Sequence, residues 1–346
     1  MIDIVPTTYY QNTEHYRECL KCYGDTNTKL LRINCTRVLV ENYIKEIINL
    51  RKVYYEINHY YPQILLDLPI PKEKPRLEFK LPIQKERIAK VSGDDCDFFK
   101  IYKGEKIIIT KEWISQPEIL QFKVSGSQFI NHTKKGEIVT VGENSARFKV
   151  DEKSNEQLYL TATIPGIIPY KKAVYSKSCF NFDSNTYDDY IPLVQMIKPK
   201  VIALSFVECG QDIIDFKLRY KIPENTLIMA KLESIKALKE IQSIVNQSDC
   251  IMIARGDLLN STGEYEFGYY IDKFIDAIHN QKPVYIATGF FQSININSMY
   301  PSRSDLIDMY YYLKQKIAGV VLTYDSSQNT IYNRCVDLIR NIKTQE

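Results

Sequence analysis

The sequence predicts an α/β chain: a (β/α)8 barrel with a small all-β domain inserted after the third barrel strand. Three features support this. There are eight short, nearly unbroken apolar runs, segments of helical spacing lie between most of them, and one gap of about 130 residues has a different rhythm. Apolar runs without alternation mark strands covered on both faces, as in a parallel sheet flanked by helices. Strand then helix, eight times over, is the pattern of a (β/α)8, or TIM, barrel.

In chain order the runs are "IDIVPTT", "KLLRINC", "QILLDLP", "VIALSFV", "TLIMAKLE", "CIMIARGD", "VYIATGF" and "GVVLTYD". The clearest helix between them is "ESIKALKEIQSIVNQ", where Ile235, Leu238, Ile241, Ile244 and Val245 recur at steps of three or four. A second spans roughly 264–280, and "RSDLIDMYYYLKQK" follows the seventh run. The long gap separates "QILLDLP" from "VIALSFV". Inside it "KIIIT", "ILQFKVSG", "EIVTVGE", "SARFKVDE" and "QLYLTATI" are short β-type runs divided by turn residues. The expected division is 1–75 with 174–346 for the barrel and 76–173 for the inserted β-barrel, with joins near "PKEKPRLEFK" and "IPYKKAVYSK".

Composition narrows the function classes. With 346 residues, 45% hydrophobic and 25% charged, the chain can bury a large core. A net charge of +3 from 45 basic and 42 acidic side chains gives no electrostatic case for a nucleic-acid or membrane partner. No apolar run approaches the roughly 20 residues of a membrane span. The start "MIDIVPTTYYQNTEHYREC" lacks the layout of a signal peptide, so a cytoplasmic protein is expected. The eight cysteines include one C-x-x-C, Cys19 and Cys22, which reads as one face of a helix rather than half of a zinc site.

Barrel enzymes carry their chemistry at the C-terminal ends of the strands. Those ends offer Arg32, Asn34 and Thr36 on the second strand, Asp67 on the third and Ser205 on the fourth. Lys231 and Glu233 follow on the fifth, Arg255, Gly256 and Asp257 on the sixth, and Thr288 on the seventh. Strand alternation sends Lys231 and Glu233 to the same side. Glu233 with Asp257 makes a two-carboxylate set that leaves positions for water and substrate oxygens, which suits Mg2+ or Mn2+. Gly256 lets the backbone approach a ligand closely, and N–H groups there can hold an anion. The plainer alternatives are ion pairs of these carboxylates with Lys231 or Arg255, a surface salt bridge at Arg32, and helix capping at Asn34 and Thr36.

On these residues a resemblance emerges. "SDCIMIARGDL" resembles the metal and substrate loop of the pyruvate kinase family, and "LIMAKLES" its strand bearing a catalytic lysine and a metal-binding glutamate. "LLRINCTR" is similar to the family's arginine–x–asparagine stretch, "KPVYIATGFFQS" to its threonine strand and "YPSRSD" to the segment after it. Order and spacing agree along essentially the whole chain, and the β-rich insertion falls where that family keeps its lid domain. The resemblance implies that Glu233 and Asp257 hold the divalent metal. Lys231 would lie beside the enolate and the travelling phosphoryl group, where it stabilises growing charge. Ser205, Gly256, Asp257 and Thr288 would bind and orient the acid, with Lys231, Arg32 and Thr288 as the catalytic set. Arg32 would grip the phosphoryl group on the nucleotide side, together with Asn34, Arg76 and Lys172. Asn34, Thr36, Asp67 and Leu68 resemble a monovalent-cation set, which leaves K+ open as a further requirement.

Some stretches depart from the family pattern. Leu68, Pro69, Ile70 and Pro71 replace a threonine, lysine and glycine before a proline, and Arg76 arrives about two residues late. Arg37 and Val38 stand for a histidine-glycine, and Glu143 for a lid aspartate. "ATGFFQS" and "LTYDSSQ" also differ, and the family's C-terminal regulatory domain has no counterpart after the eighth helix. Effector control of that kind is therefore not expected, and a homodimer is the assembly left open. The function expected is metal-dependent phosphoryl transfer between phosphoenolpyruvate, or a related enol phosphate or organic acid, and ADP or ATP. A relative dedicated to one pathway also fits. Two other classes stay open: a non-catalytic barrel that binds metal and organic acid, and a Mg2+-dependent lyase acting through pyruvate enolate.

Overall fold

The computed structural model describes residues 2–35, 40–69, 75–79, 88–90, 97–114, 119–125, 128–142, 145–176, 178, 187–278 and 280–342. The chain divides into two compact units, Met1–Ile70 with Thr186–Glu346, and Pro71–Asn185.

The first unit contains the eight strands read from the sequence. They are β1 (Asp3–Val5), β2 (Leu30–Asn34), β3 (Gln63–Leu68), β4 (Val201–Leu204), β5 (Leu227–Leu232), β6 (Cys250–Ala254), β7 (Val284–Ala287) and β8 (Gly319–Val321). All neighbours pair in parallel in the order β1-β8-β7-β6-β5-β4-β3-β2. The two ends of this sheet meet at Arg32, whose N–H donates to the Pro6 carbonyl at 2.9 Å and whose carbonyl accepts from the Thr8 N–H at 3.0 Å. The seam of the barrel thus runs through a residue expected in the site.

Around the strands lie α1 (Glu14–Asp25), α2 (Val40–Asn58), α3 (Ile191–Ile197), α4 (Gly210–Arg219), α5 (Ile241–Gln247), α6 (Phe267–Ile278), α7 (Arg303–Lys314) and α8 (Asn329–Asn341). The single helix expected over 233–247 is two pieces, Lys236–Lys239 and α5, broken at Glu240. Cys19 and Cys22 lie buried on α1, and the described cysteines are all free thiols. No helix among the described residues is long and apolar enough to cross a membrane.

Alternation along the strands explains why they are apolar throughout. One set, including Val5, Leu65, Val201, Ala203, Met229, Cys250, Met252, Tyr285, Ala287 and Val321, packs together as a core of its own. The intervening residues, such as Ile64, Leu66, Ile202, Ile228, Ile251, Ile253 and Ile286, pack with the helices. The first set is therefore the barrel interior. Gly319 belongs to that interior row: a Cβ there would lie 2.5 Å from Tyr285 Cε1 and 2.8 Å from the Asp3 carbonyl. The Tyr285 ring fills the space that Gly319 leaves, and its hydroxyl donates to Asp3 Oδ2 at 2.7 Å.

The second unit contains a closed barrel of seven strands, Arg76–Glu78, Lys106–Thr110, Leu120–Val124, Ile138–Val141, Ala146–Lys153, Gln157–Ile164 and Lys172–Ser176. Here burial alternates along the strands, as expected where one face is wet. Its core is built on Phe79, Phe99, Phe122, Phe129 and Phe148.

Gly319→Ala should destabilise the protein by about 1–3 kcal/mol, because the Tyr285 ring and the Asp3 backbone must move. Gly268→Ala, where an added Cβ meets nothing within 4 Å, should leave stability within about 1 kcal/mol. Urea unfolding of the two variants checks both, and equal midpoints would contradict the packing described.

Candidate active site at the mouth of the barrel

At the C-terminal ends of the strands the interior row changes from apolar to polar. Thr7 continues the row of Val5, Arg32 that of Leu30, Asp67 that of Leu65, and Ser205 that of Ala203, while Lys231 and Glu233 continue that of Met229. The same alternation that fills the barrel with hydrocarbon therefore brings these groups together at its mouth.

Their contacts form a chain of alternating charge. Lys231 Nζ lies 3.0 Å from Asp67 Oδ1 and 3.0 Å from Glu233 Oε1, and donates to Ser205 Oγ at 3.0 Å. Asp67 Oδ2 accepts from Arg32 Nε at 2.9 Å and Arg32 Nη2 at 2.6 Å. Arg32 Nη1 donates to Thr7 Oγ1 at 2.8 Å, and the Thr7 hydroxyl donates to the Leu322 carbonyl at 2.7 Å. Glu233 Oε2 accepts the Phe206 N–H at 2.7 Å. Phe206 holds φ at +51°, uncommon for a residue with a side chain, and this bend accompanies that bond.

These groups are nearly dry: Lys231 is 7% exposed, Asp67 2% and Glu233 1%. Isolated charges could not remain there, but two cations and two carboxylates compensate one another. Burial opposes ionisation of Asp67, yet Lys231 and Arg32 outweigh it, so its carboxyl is held below the usual carboxylate range.

The sixth and seventh strands supply a second group. Arg255, Gly256 and Asp257 open a short helix, Arg255–Thr262, with Asp257 in its first turn, where the helix dipole favours a negative charge. Thr288 follows β7 with φ at +75°, and Gly289 with φ at +84°. Glu233 and Asp257 follow adjacent parallel strands, in which Leu232 pairs with Ile253. Their oxygen donors fit Mg2+ or Mn2+. Among the described residues no group of three or more His, Cys, Asp and Glu side chains forms a metal site.

The structure places the remaining expected residues as follows. Asn34 pairs with Asp67 in the β2–β3 register, and the Leu68 carbonyl accepts from the Ser205 hydroxyl at 2.8 Å. Arg76 and Lys172 lie on antiparallel strands of the second unit, where Lys172 pairs with Leu77 and Ala173 with Arg76. Thr36, Arg37, Val38 and Glu143 lie outside the described residues. Thr7, Phe206 and Asp308 were not foreseen. Thr7 could have been found by counting two residues on from Val5, whereas nothing in a phenylalanine announces a left-handed backbone.

The family model for the pyruvate kinase barrel domain matches residues 30–329. The chain belongs to the pyruvate kinase family. It is 26% identical over 219 residues to the pyruvate kinase of Thermotoga maritima, covering 62% of this chain and 46% of that protein. It is 24% identical over 258 residues to that of Mycoplasma pneumoniae, covering 71% of this chain and 51% of that protein. The chain thus spans about half the length of these curated relatives. A crystal structure of a pyruvate kinase from Cryptosporidium parvum superposes with a TM-score of 0.75 over 99% of this chain and 70% of that one, at 20% identity. That likeness shows the fold of the family.

Asp67→Asn should cost about 3–5 kcal/mol at neutral pH, since it leaves Lys231 and Arg32 without their shared buried carboxylate. The folded-state pKa of Asp67 is depressed, so its contribution is complete above the unfolded value, near 3.9, and is lost as pH falls through the lower folded value. Denaturant midpoints should differ most at pH 7 and converge below about pH 4. A gap that stays constant down to pH 3 would contradict the ion pairing.

Proposed function

We propose that this barrel transfers a phosphoryl group between an enol phosphate of a small carboxylic acid, phosphoenolpyruvate first among them, and an adenine nucleotide. The observation that supports this best is the fixed ammonium of Lys231, bonded at 3.0 Å to two carboxylates and a hydroxyl. A cation held in place before the substrate arrives needs no reorganisation when negative charge grows on the transferring group or the enolate oxygen.

Each neighbour has a role. Arg32 has five N–H donors, and its bonds to Asp67 and Thr7 use three, which leaves two for a phosphoryl oxygen. Ser205 accepts from Lys231 while donating to the Leu68 carbonyl, and so helps to fix the Lys231 rotamer. The Thr288 side chain and the backbone N–H groups of Gly256 and Asp257 bind and orient the acid carboxylate. Glu233 and Asp257 would hold Mg2+ or Mn2+, which when bound supplies positive charge to the acid oxygens. Arg76 and Lys172 of the second unit are assigned to the nucleotide. K+ stays open in this reading; both oxygens of Asp67 already accept from cationic side chains.

Purified protein with phosphoenolpyruvate, ADP and Mg2+, with and without K+, should produce pyruvate in a lactate-dehydrogenase-coupled assay. Lys231→Met should lower turnover by about 10²–10³ while changing KM little, as expected of a group used in the transition state. Loss of affinity alone would make Lys231 a binding residue. An inactive but folded wild type that still binds metal and acid would favour the binding barrel. Aldehyde consumption with pyruvate would favour the lyase.

Asp257→Asn should weaken Mn2+ binding, measured by calorimetry, at least about tenfold. Its loss of stability should stay near the roughly 0.3–1 kcal/mol of a helix-end charge. Unchanged Mn2+ affinity would remove Asp257 from the metal set.

A further inference from the structure

We propose that Arg255 is a positioning residue: it sets the backbone at Thr288 and so holds the acid-binding half of the site in its working shape. The proposal rests on the reading of Thr288 as an acid-orienting residue.

Arg255 is 8% exposed, and its guanidinium is engaged on several sides. Nε donates to the Thr288 carbonyl at 2.7 Å. Nη1 donates to both carboxylate oxygens of Asp308 on α7, at 2.8 and 2.6 Å. The plane sits over the Phe290 ring, with Cζ 4.0 Å from its centroid, and 5.1 Å from that of Tyr312. Nη2 packs against Gly289, where a Cβ would approach it to 3.2 Å. One side chain therefore ties the start of the Gly256–Asp257 segment to Thr288, Gly289, Phe290 and α7.

The turn at Thr288 needs such a tie. A β-branched residue at φ +75° is a backbone outlier that persists only when its surroundings impose it, and outliers of this kind gather at functional sites. The Arg255 Nε bond restrains the Thr288 carbonyl, and Gly289 is the neighbour small enough to admit the guanidinium. Nη2 is buried without an acceptor among the described residues. A buried donor left unsatisfied calls for an explanation, and here the close fit over Gly289 supplies one. A lysine could not replace this group. Its single nitrogen cannot reach Thr288 and fork to Asp308 while lying flat on Phe290.

The test uses Arg255→Met, Arg255→Lys and Asp308→Asn, with hydrogen exchange of the 286–292 segment, oxalate affinity in the presence of Mg2+, and steady-state kinetics. Oxalate is a planar dianion close in shape to pyruvate enolate. Arg255→Met should speed exchange in that segment at least about tenfold. It should weaken oxalate and lower kcat for phosphoenolpyruvate by about 10–100-fold, as expected of a misplaced orienting group, with KM for ADP unchanged. Arg255→Lys should not restore these values, and Asp308→Asn should shift them in the same direction. Unchanged exchange together with kcat and oxalate affinity within twofold of wild type would overturn the proposal, as would full rescue by lysine. If Arg255→Met does not fold, the other two variants decide by the same readouts. A wild type that binds oxalate but turns over no phosphoenolpyruvate overturns the phosphoryl-transfer reading alone, because exchange is measured on the unliganded protein and still decides the role of Arg255.

Discussion

Asp67 is the residue on which the mouth of the barrel depends. A carboxylate with almost no access to water is tolerable only between the cations of β2 and β5, and those cations are tolerable only because it is there. The pairing spans three strands and extends through Lys231 to Glu233 and through Arg32 to Thr7, so four separate stretches of chain are registered by side-chain bonds as well as by backbone ladders. Long side chains that would otherwise sample many rotamers are confined, which is the structural meaning of preorganisation.

The site has two halves with different means of support. The half on β2 to β5 is internally neutral and held by ion pairs. The half on β6 and β7 is held by one arginine against a carbonyl, a carboxylate and two rings. The left-handed residues Phe206 and Thr288 both occur where a barrel strand gives way to the loop that follows it. Regular strands deliver side chains at a fixed spacing, and departures from that spacing are what adapt a common barrel to one chemistry.

Much of this was legible in the sequence. The barrel strands are apolar on both faces and short, so they stand out without any three-dimensional information, and all eight were found. The convergence of Lys231 and Glu233 followed from the two-residue period of a strand. The break at Glu240 was missed because the helical spacing of Ile235 to Val245 runs through it without interruption. What the sequence could not convey was which charge pairs with which. The sequence groups Asp67 with Asn34, Thr36 and Leu68 as an expected cation set; its bonds to Arg32 and Lys231 are visible only in the folded chain. Pairing of that kind depends on the strand order and curvature of the sheet, which bring Arg32 and Lys231 to about 3 Å from Asp67. Arg255 was visible, but its bonds to Thr288 and Asp308 were not, since they join segments 33 and 53 residues away.

The seam at Arg32 has a consequence for how the protein is made. Thr7 joins the Arg32 side chain to the Leu322 carbonyl, and its own N–H donates to Ser327 Oγ at 3.0 Å, so the charged mouth is locked by residues more than 300 positions apart. A ribosome releases β2, β3 and β5 long before β8 exists. Until then Asp67, Lys231 and Arg32 belong to an open sheet whose unpaired edges still face water or another chain. The final strand therefore does more than complete a wall. Its arrival closes the sheet: β8 pairs with β1, and the Leu322 carbonyl just beyond it takes the Thr7 hydroxyl that meets Arg32.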